Sequence, residues 1–214
     1  MSNMKKCPVC LKEESRFFAN EDGRDYWRCG VCAATYLDPS LLPSEEAERA
    51  RYARHENDFG DEGYRRYLER LALPLLARLP EPKSGLDYGC GPGPVLAAML
   101  REAGHEVALY DPFFEPGSAA LEREYDFITC SEVAEHFHHP AEEFALLNRL
   151  LKQDGYFAVM TCFLTDGIRF ADWHYRTDST HVVFYREETF DYIARLYGWD
   201  LEIPAKDVAI MHKV

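Results

Sequence analysis

The spacing of apolar residues changes several times along the chain, and each change marks an element. Arg16-Phe17-Phe18 and Tyr26-Trp27-Arg28 are short aromatic runs on either side of Asn20-Glu21-Asp22-Gly23, the pattern of two strands joined by a tight turn. Asp38-Pro39-Ser40-Leu41-Leu42-Pro43 interrupts it. Ser44-Glu45-Glu46 then supplies an N-cap and acidic first-turn residues, so a helix is expected through Tyr52. Tyr64, Tyr67, Leu68, Leu71 and Leu75 recur at helical spacing and predict a second, core-facing helix with a kink or restart at Pro74. Between the helices, residues 54–63 are polar and punctuated by glycine, the composition of a connector or of a lid over a site.

Further on, Leu86-Asp87-Tyr88 reads as a strand, 95–100 as a helix stopped at Gly104, and Val107-Ala108-Leu109-Tyr110 as a second strand. Residues 125–130 form a buried-strand run. After it come a helix over 141–151, a turn at Asp154-Gly155, a strand over 156–163 and a helix over 187–197. A hairpin of 200–204 with 208–214 closes the series.

Length makes this one α/β domain with a small appendage: 214 residues divide into an expected unit at 1–43, with little core of its own, and a main domain at 44–214, in which 44–82 form a helical cap. A formal net charge of −13 disfavours a broad footprint on phosphate backbones or anionic lipid, so nucleic acid is a poor default substrate. Apolar runs are shorter than a bilayer span, and Met1-Ser2-Asn3-Met4-Lys5-Lys6-Cys7 has no apolar signal core, so a cytoplasmic protein with no membrane partner is expected.

Four of the seven cysteines form two tight pairs, Cys7-Pro8-Val9-Cys10 and Cys29-Gly30-Val31-Cys32. Each pair puts two thiolates on one turn, and the intervening hairpin brings the turns together as four soft, tetrahedral ligands for Zn²⁺. With every position filled by cysteine, such a zinc ribbon holds structure and does no chemistry. Its basic and acidic residues balance, leaving no evident nucleic-acid face. Cys90, Cys130 and Cys162 stand in apolar strand-like contexts and are expected as small core residues.

Leu86-Asp87-Tyr88-Gly89-Cys90-Gly91-Pro92-Gly93 is a strand running into a glycine-rich turn and then a helix, a place where backbone can approach a ligand closely. Asp111 follows at the end of the next strand, about twenty residues on, where a carboxylate can bind ribose hydroxyls. Pro94 occupies the third glycine position of the dinucleotide fingerprint, which weakens an NAD reading. These residues resemble the class I S-adenosylmethionine (SAM)-dependent methyltransferases. The resemblance implies an α/β, Rossmann-like, mostly parallel sheet with a C-terminal antiparallel hairpin. It places Asp87, Gly89, Gly91 and Gly93 at the methionine side of SAM and Asp111 at the ribose, adds Cys90, Pro112 and Phe113 to the cofactor-binding residues, and sets Ser131 and Glu132 at the border of the methionine group.

Only fourteen residues separate Asp111 from Asp126, where relatives place a helix, a third strand and an adenine-contacting loop. A sheet lacking that strand is therefore expected, with Phe113 or Phe114 against the adenine or capping the shortened edge. His136 and His181 are the candidate catalytic bases, chosen over His138, His139, His174 and Tyr175. Glu132, Glu135 and His136 also match a Glu-x-x-Glu-His pattern that some ubiquinone-pathway relatives use for a divalent cation. The implied activity is methylation of a small-molecule acceptor at O, N or C. The alternatives are a non-catalytic SAM-binding adaptor and an NAD-dependent oxidoreductase.

Overall fold

A computed structural model describes residues 4–53 and 60–214. The first strands, β1 (Ser15–Glu21) and β2 (Arg24–Cys29), form the expected hairpin, closed by Asp22 and Gly23 at φ 53° and 75°. Two left-handed residues in a two-residue loop follow the right-handed twist of the strands, which is why an Asp-Gly pair stands there. β3 (Thr35–Leu37) lies against β2. α1 (Glu45–Tyr52) begins at Ser44, whose hydroxyl accepts from the Ala47 N–H.

α2 (Glu62–Leu76) is capped by Asp61 and runs unbroken through Pro74, so the expected kink is absent. Pro74 stands in the last turn, where a missing N–H forfeits a single bond near a helix end. Residues 54–59, the centre of the expected lid or connector, lie outside the described residues.

The main sheet is built from β4 (Ser84–Tyr88), β5 (Glu106–Tyr110), β6 (Tyr125–Ser131), β7 (Leu151–Met160), β9 (Trp199–Ala205) and β10 (Val208–Lys213), with α3 (Val95–Glu102), α4 (Pro140–Leu150), the two-residue β8 (Val183–Phe184) and α5 (Glu187–Tyr197) between them. Strand order is β5-β4-β6-β7-β10-β9. The first four run parallel and β10 is antiparallel to both neighbours, giving the expected α/β sheet with its closing hairpin. β5 stands at the edge. Among the described residues, the stretch after Asp111 makes a bridge to Glu115 and a short 3-10 turn at Ser118–Leu121 but no third strand.

β7 contains the expected turn as an excursion. Pairing with β6 jumps from Tyr125 opposite Leu151 to Phe127 opposite Tyr156, so residues 152–155 leave the ladder, with Asp154 at φ 61°. The strand ends at Met160 and not at 163, because the Thr161 N–H turns to the Asp207 carbonyl (3.0 Å).

Alternate strand residues face opposite sides of the sheet. Phe127, Ala158, Met160 and Val208 pack with α2 and α3, while Ile128, Phe157, Val159 and Ala209 pack with α4, α5 and the N-terminal ribbon. The ribbon therefore shares a core with the main domain. The two are also joined through β8, which pairs with β3 in a four-stranded sheet of order β1-β2-β3-β8. Cys90 and Cys130 are buried, whereas Cys162 is only half-buried, beyond the end of β7. Among the described residues no helix is long and apolar enough to cross a membrane.

Candidate active site

The C-terminal ends of β4, β5 and β6 open on one cavity of about 710 Å³. At the end of β4, Asp87 is buried and accepts from Thr129 Oγ1 (2.8 Å); burial pushes its pKa up to about 6. The chain then turns through Gly89 (φ 76°) and Gly91 (φ 65°). A Cβ on Gly89 would stand 2.4 Å from Val133 Cγ2, so a glycine is demanded twice, by backbone and by space. Tyr110 at the end of β5 accepts from the Gly89 N–H (2.7 Å) and fixes the loop to the neighbouring strand.

Asp111 completes that attachment. Its Oδ2 accepts from the Gly91 N–H (3.0 Å), and its Oδ1 from the N–H groups of Phe113 (2.8 Å) and Phe114 (3.1 Å). A carboxylate offers about four lone-pair positions, so one remains for a ribose hydroxyl. Phe113 and Phe114 are half-buried and line the cavity, Phe113 against Tyr52 of α1 (5.5 Å between centroids) and under the Arg49 guanidinium.

Glu132, just past β6, has φ 54° and turns its carboxylate toward α2, where Tyr67 donates to Oε1 (2.9 Å) and Tyr175 to Oε2 (3.3 Å). Burial, reinforced by the neighbouring Glu135, pushes its pKa up to about 8. Glu135 is fully buried beside the hydroxyls of Tyr175 and Thr161, and burial raises its pKa. Its Oε1 faces His136 Nε2 at 3.8 Å and His181 Nε2 at 4.0 Å.

Each ring's other nitrogen is set by a carbonyl: His136 Nδ1 donates to Thr180 O (2.9 Å) and His181 Nδ1 to Tyr175 O (2.7 Å). A carbonyl can only accept, so Nδ1 carries the hydrogen in both rings and the neutral form has its lone pair on Nε2. Burial lowers the His181 pKa, against the opposing pull of the Glu135 carboxylate.

Every residue singled out for SAM lines this cavity, Asp87, Gly89, Cys90, Gly91, Gly93, Asp111, Pro112, Phe113, Ser131 and Glu132 among them, together with His136 and His181. His138 also reaches it and lies 3.2 Å from Glu48, whereas His139 and His174 are exposed elsewhere. The triad expected for a divalent cation is not the one assembled. His181 joins Glu135 and His136 with ligand atoms within 4.8 Å, and Glu132 is taken up by the two tyrosine hydroxyls. Sequence spacing missed Tyr67, read as a core-facing residue, and did not single out Glu48 or Glu143. Glu143 in fact accepts from the Tyr88 hydroxyl inside the cavity.

At the other end, the sulfurs of Cys7, Cys10, Cys29 and Cys32 all lie within 4.8 Å of one another, with Cys7 to Cys32 at 3.6 Å and Cys10 to Cys29 at 3.5 Å. Zinc–sulfur bonds of about 2.3 Å at tetrahedral angles separate sulfurs by roughly 3.8 Å, so the donor set fits a closed Zn²⁺ site.

A sequence family described as a methyltransferase domain matches residues 52–202. No curated protein matches the chain. Among solved structures, 1,6-didemethyltoxoflavin-N1-methyltransferase of Burkholderia thailandensis, with its substrate and S-adenosylhomocysteine bound, is similar at a TM-score of 0.55 and 19% identity, over 94% of this chain and 99% of that one. The PH0226 protein of Pyrococcus horikoshii is similar at 0.55 and 16% identity, over 78% and 98% of the two chains. A putative sarcosine dimethylglycine methyltransferase of Galdieria sulphuraria is similar at 0.51 and 20% identity, over 64% and 61%. With the family match spanning most of the chain and the glycine loop, Asp111 and the sheet order in place, this protein belongs to the SAM-dependent methyltransferases of Rossmann-like fold.

Proposed function

We propose that the protein methylates a small-molecule acceptor inside the 710 Å³ cavity, with His136 and His181 serving the acceptor. One observation carries this reading: the glycine loop and the histidine pair open on the same hollow, whose volume is in the usual range of roughly 300–1,000 Å³ for small-molecule sites. In this reading Gly89, Cys90, Gly91 and Gly93 hold the methionine side over Asp87, Asp111 takes the ribose, and Pro112 and Phe113 border the adenine. Ser131 and Glu132 close the methionine side. Bound SAM supplies a methyl group on a sulfonium; as an acceptor atom bonds to that carbon, the carbon–sulfur pair stays on sulfur.

The chain contributes placement and a proton acceptor. Holding the two partners in line in a site screened by Tyr52, Tyr67 and Tyr175 accounts for much of such a reaction. Where the acceptor must lose a proton, His136 or His181 takes it on Nε2, which their Nδ1–H bonds to carbonyls leave as the basic nitrogen. Cys7, Cys10, Cys29 and Cys32 would hold Zn²⁺ as a structural ion, in a ribbon unit at 1–43 attached to the 44–214 methyltransferase domain with its 44–82 cap. The excess of negative charge favours a small acceptor over nucleic acid.

Calorimetric titration with SAM, S-adenosylhomocysteine and NAD, followed by an acceptor screen that reads S-adenosylhomocysteine release, tests the proposal. Binding of the first two and turnover of a small molecule are expected. NAD binding without SAM binding, or turnover on RNA alone, overturns it.

A further inference from the structure

The cavity has two polar ends. At one, Glu132, Tyr67, Tyr175 and the histidine pair gather between α2 and the segment after β7. At the other, where β4 and β5 face α4, stands Glu143, in the first turn of α4, a carboxylate with no task in the methyl transfer itself.

Neighbouring strand residues face opposite sides of the sheet, so Tyr88 turns toward α4 where Asp87 turns away. The Tyr88 hydroxyl donates to Glu143 Oε2. Its ring stacks on Tyr110 (5.1 Å between centroids) and meets Phe137 edge-on (6.2 Å). Tyr110 precedes Asp111 and Phe113 follows it, so this aromatic wall begins at the carboxylate assigned to the ribose.

The chemistry of the donor gives the wall an occupant. A nucleoside carries its base on C1′ and its 5′ chain on C4′, on opposite flanks of the sugar. With the ribose at Asp111 and the 5′ chain directed to the glycine loop, the base falls toward Tyr110, Phe113 and Phe137. Purine rings stack on faces of this kind. β5 is the edge of the sheet, and among the described residues no strand stands beyond it to border the base. The element that faces this recess is α4, and Glu143 is its carboxylate in the cavity lining.

Tyr88 takes one of about four lone-pair positions on that carboxylate, which can therefore accept further donors. The 6-amino group of adenine brings two N–H bonds. Neither a lysine nor an arginine is among the described lining residues, so no cationic side chain of the lining competes for Glu143.

We propose that Glu143 accepts from the 6-amino group of the donor's adenine and makes the site specific for it, with Tyr88 fixing the carboxylate and Tyr110 and Phe113 flanking the ring. This inference rests on the reading of the cavity as the SAM site. A carboxylate accepts and cannot donate, so a base with a carbonyl at position 6 meets it acceptor to acceptor and is rejected.

The test uses the full-length zinc-loaded protein. Calorimetry compares S-adenosylhomocysteine with its analogue carrying hydrogen in place of the 6-amino group. Wild type is expected to bind S-adenosylhomocysteine roughly tenfold to a hundredfold more tightly than the analogue, which lacks one hydrogen bond to a charged group. Glu143→Ala is expected to lose that factor for S-adenosylhomocysteine and to bind the analogue within about twofold of wild type, with zinc content unchanged. If Glu143→Ala does not fold, Glu143→Gln serves for the same comparison: the neutral amide keeps the shape and is expected to reduce the preference at least about threefold.

The proposal falls if the Glu143 variants keep the wild-type preference. It also falls if they weaken both ligands by the same factor, because Glu143 then supports the fold of the wall and does not read the base. A wild type that binds both ligands equally removes this inference alone. A wild type that binds neither removes the donor reading and this inference with it.

Discussion

Asp111 is the sharpest place to perturb, because one buried carboxylate holds the glycine loop, the turn after β5 and, in the proposed reading, a ribose hydroxyl. It accepts three backbone N–H groups, from Gly91, Phe113 and Phe114. Asp111→Asn keeps the shape but has a single acceptor oxygen. If that oxygen stays with Phe113 and Phe114, the amide NH₂ faces the Gly91 N–H, donor against donor, and the loop shifts. At least one charge-assisted hydrogen bond is lost at a residue only 7% exposed, about 1.5–3 kcal/mol, or a factor of roughly 10–150 in affinity. Calorimetry should therefore show S-adenosylhomocysteine binding at least about tenfold more weakly, with zinc content unchanged.

Repeating the titration with the 2′-deoxy and 3′-deoxy analogues separates loop from ribose. If Asp111 holds one of these hydroxyls, the matching deoxy analogue costs wild type affinity and costs Asp111→Asn almost none, so the two losses do not add. Strict additivity with both analogues refutes the ribose contact. An unchanged dissociation constant refutes the whole assignment.

The raised pKa of Glu132 predicts a pH dependence: the folded protein holds this proton more tightly than the unfolded chain, so stability is fully present below the ordinary value of 4.5 and is lost as pH rises toward about 8. Melting temperature should fall over that window, and Glu132→Gln should flatten the fall; a parallel curve in the variant contradicts the assignment. Gly89→Ala should weaken S-adenosylhomocysteine by more than about tenfold, and adding Val133→Ala should restore only part, because the clash is relieved while the left-handed backbone still costs about 1–2 kcal/mol. Full recovery would show that strain at φ 76° is irrelevant. Phe113→Ala should weaken S-adenosylhomocysteine roughly two- to tenfold with zinc unaltered, a change readable by fluorescence titration; no change assigns the ring to the edge of the core. Elemental analysis should find about one zinc per chain, and its removal should raise the acceptor KM well before S-adenosylhomocysteine affinity changes; simultaneous loss of both contradicts the ribbon's proposed part.

Features governed by neighbours in sequence were legible before any coordinates. Asp22-Gly23 names its turn, Gly198 at φ 70° ends α5 where a left-handed residue is needed, and fourteen residues between Asp111 and Asp126 leave no room for a helix and a strand. The twelve residues read as SAM-binding or catalytic meet in one cavity, because glycine spacing and strand ends are local signals that a parallel sheet gathers at one edge. What escaped was long-range. Tyr67 meets Glu132 across 65 positions, and nothing in the helical period of α2 distinguishes a tyrosine that packs from one whose hydroxyl reaches a carboxylate. The end of β7 depends on Asp207, and the pairing of β3 with β8 on a strand of two residues, too short to show any alternation.

That short pairing gives the ribbon a part in the site. The Leu37 N–H donates to Val182 O, and the Val182 N–H donates to the Glu135 backbone carbonyl, both at 2.8 Å, so two consecutive bonds lead from β3 to the backbone that carries Glu135. Arg176, nearly enclosed, reaches Asp22 at the hairpin tip (2.9 Å), and Phe170 packs on Phe18 and Tyr26 with centroids 5.2 and 4.9 Å away. The segment that carries Tyr175 and His181 is thus held from outside by the ribbon, whereas the glycine loop and Asp111 are held from inside by β4 and β5. A cluster of four cysteines tying β2 to the first turn stiffens the outer support and leaves the inner one alone. In the proposed reading the acceptor side leans on both sheets, since His136 follows β6 of the main one while His181 lies in the segment held by the ribbon. Because the proposed role of His181 depends on its placement beside the acceptor, loosening the ribbon is expected to act on acceptor binding first.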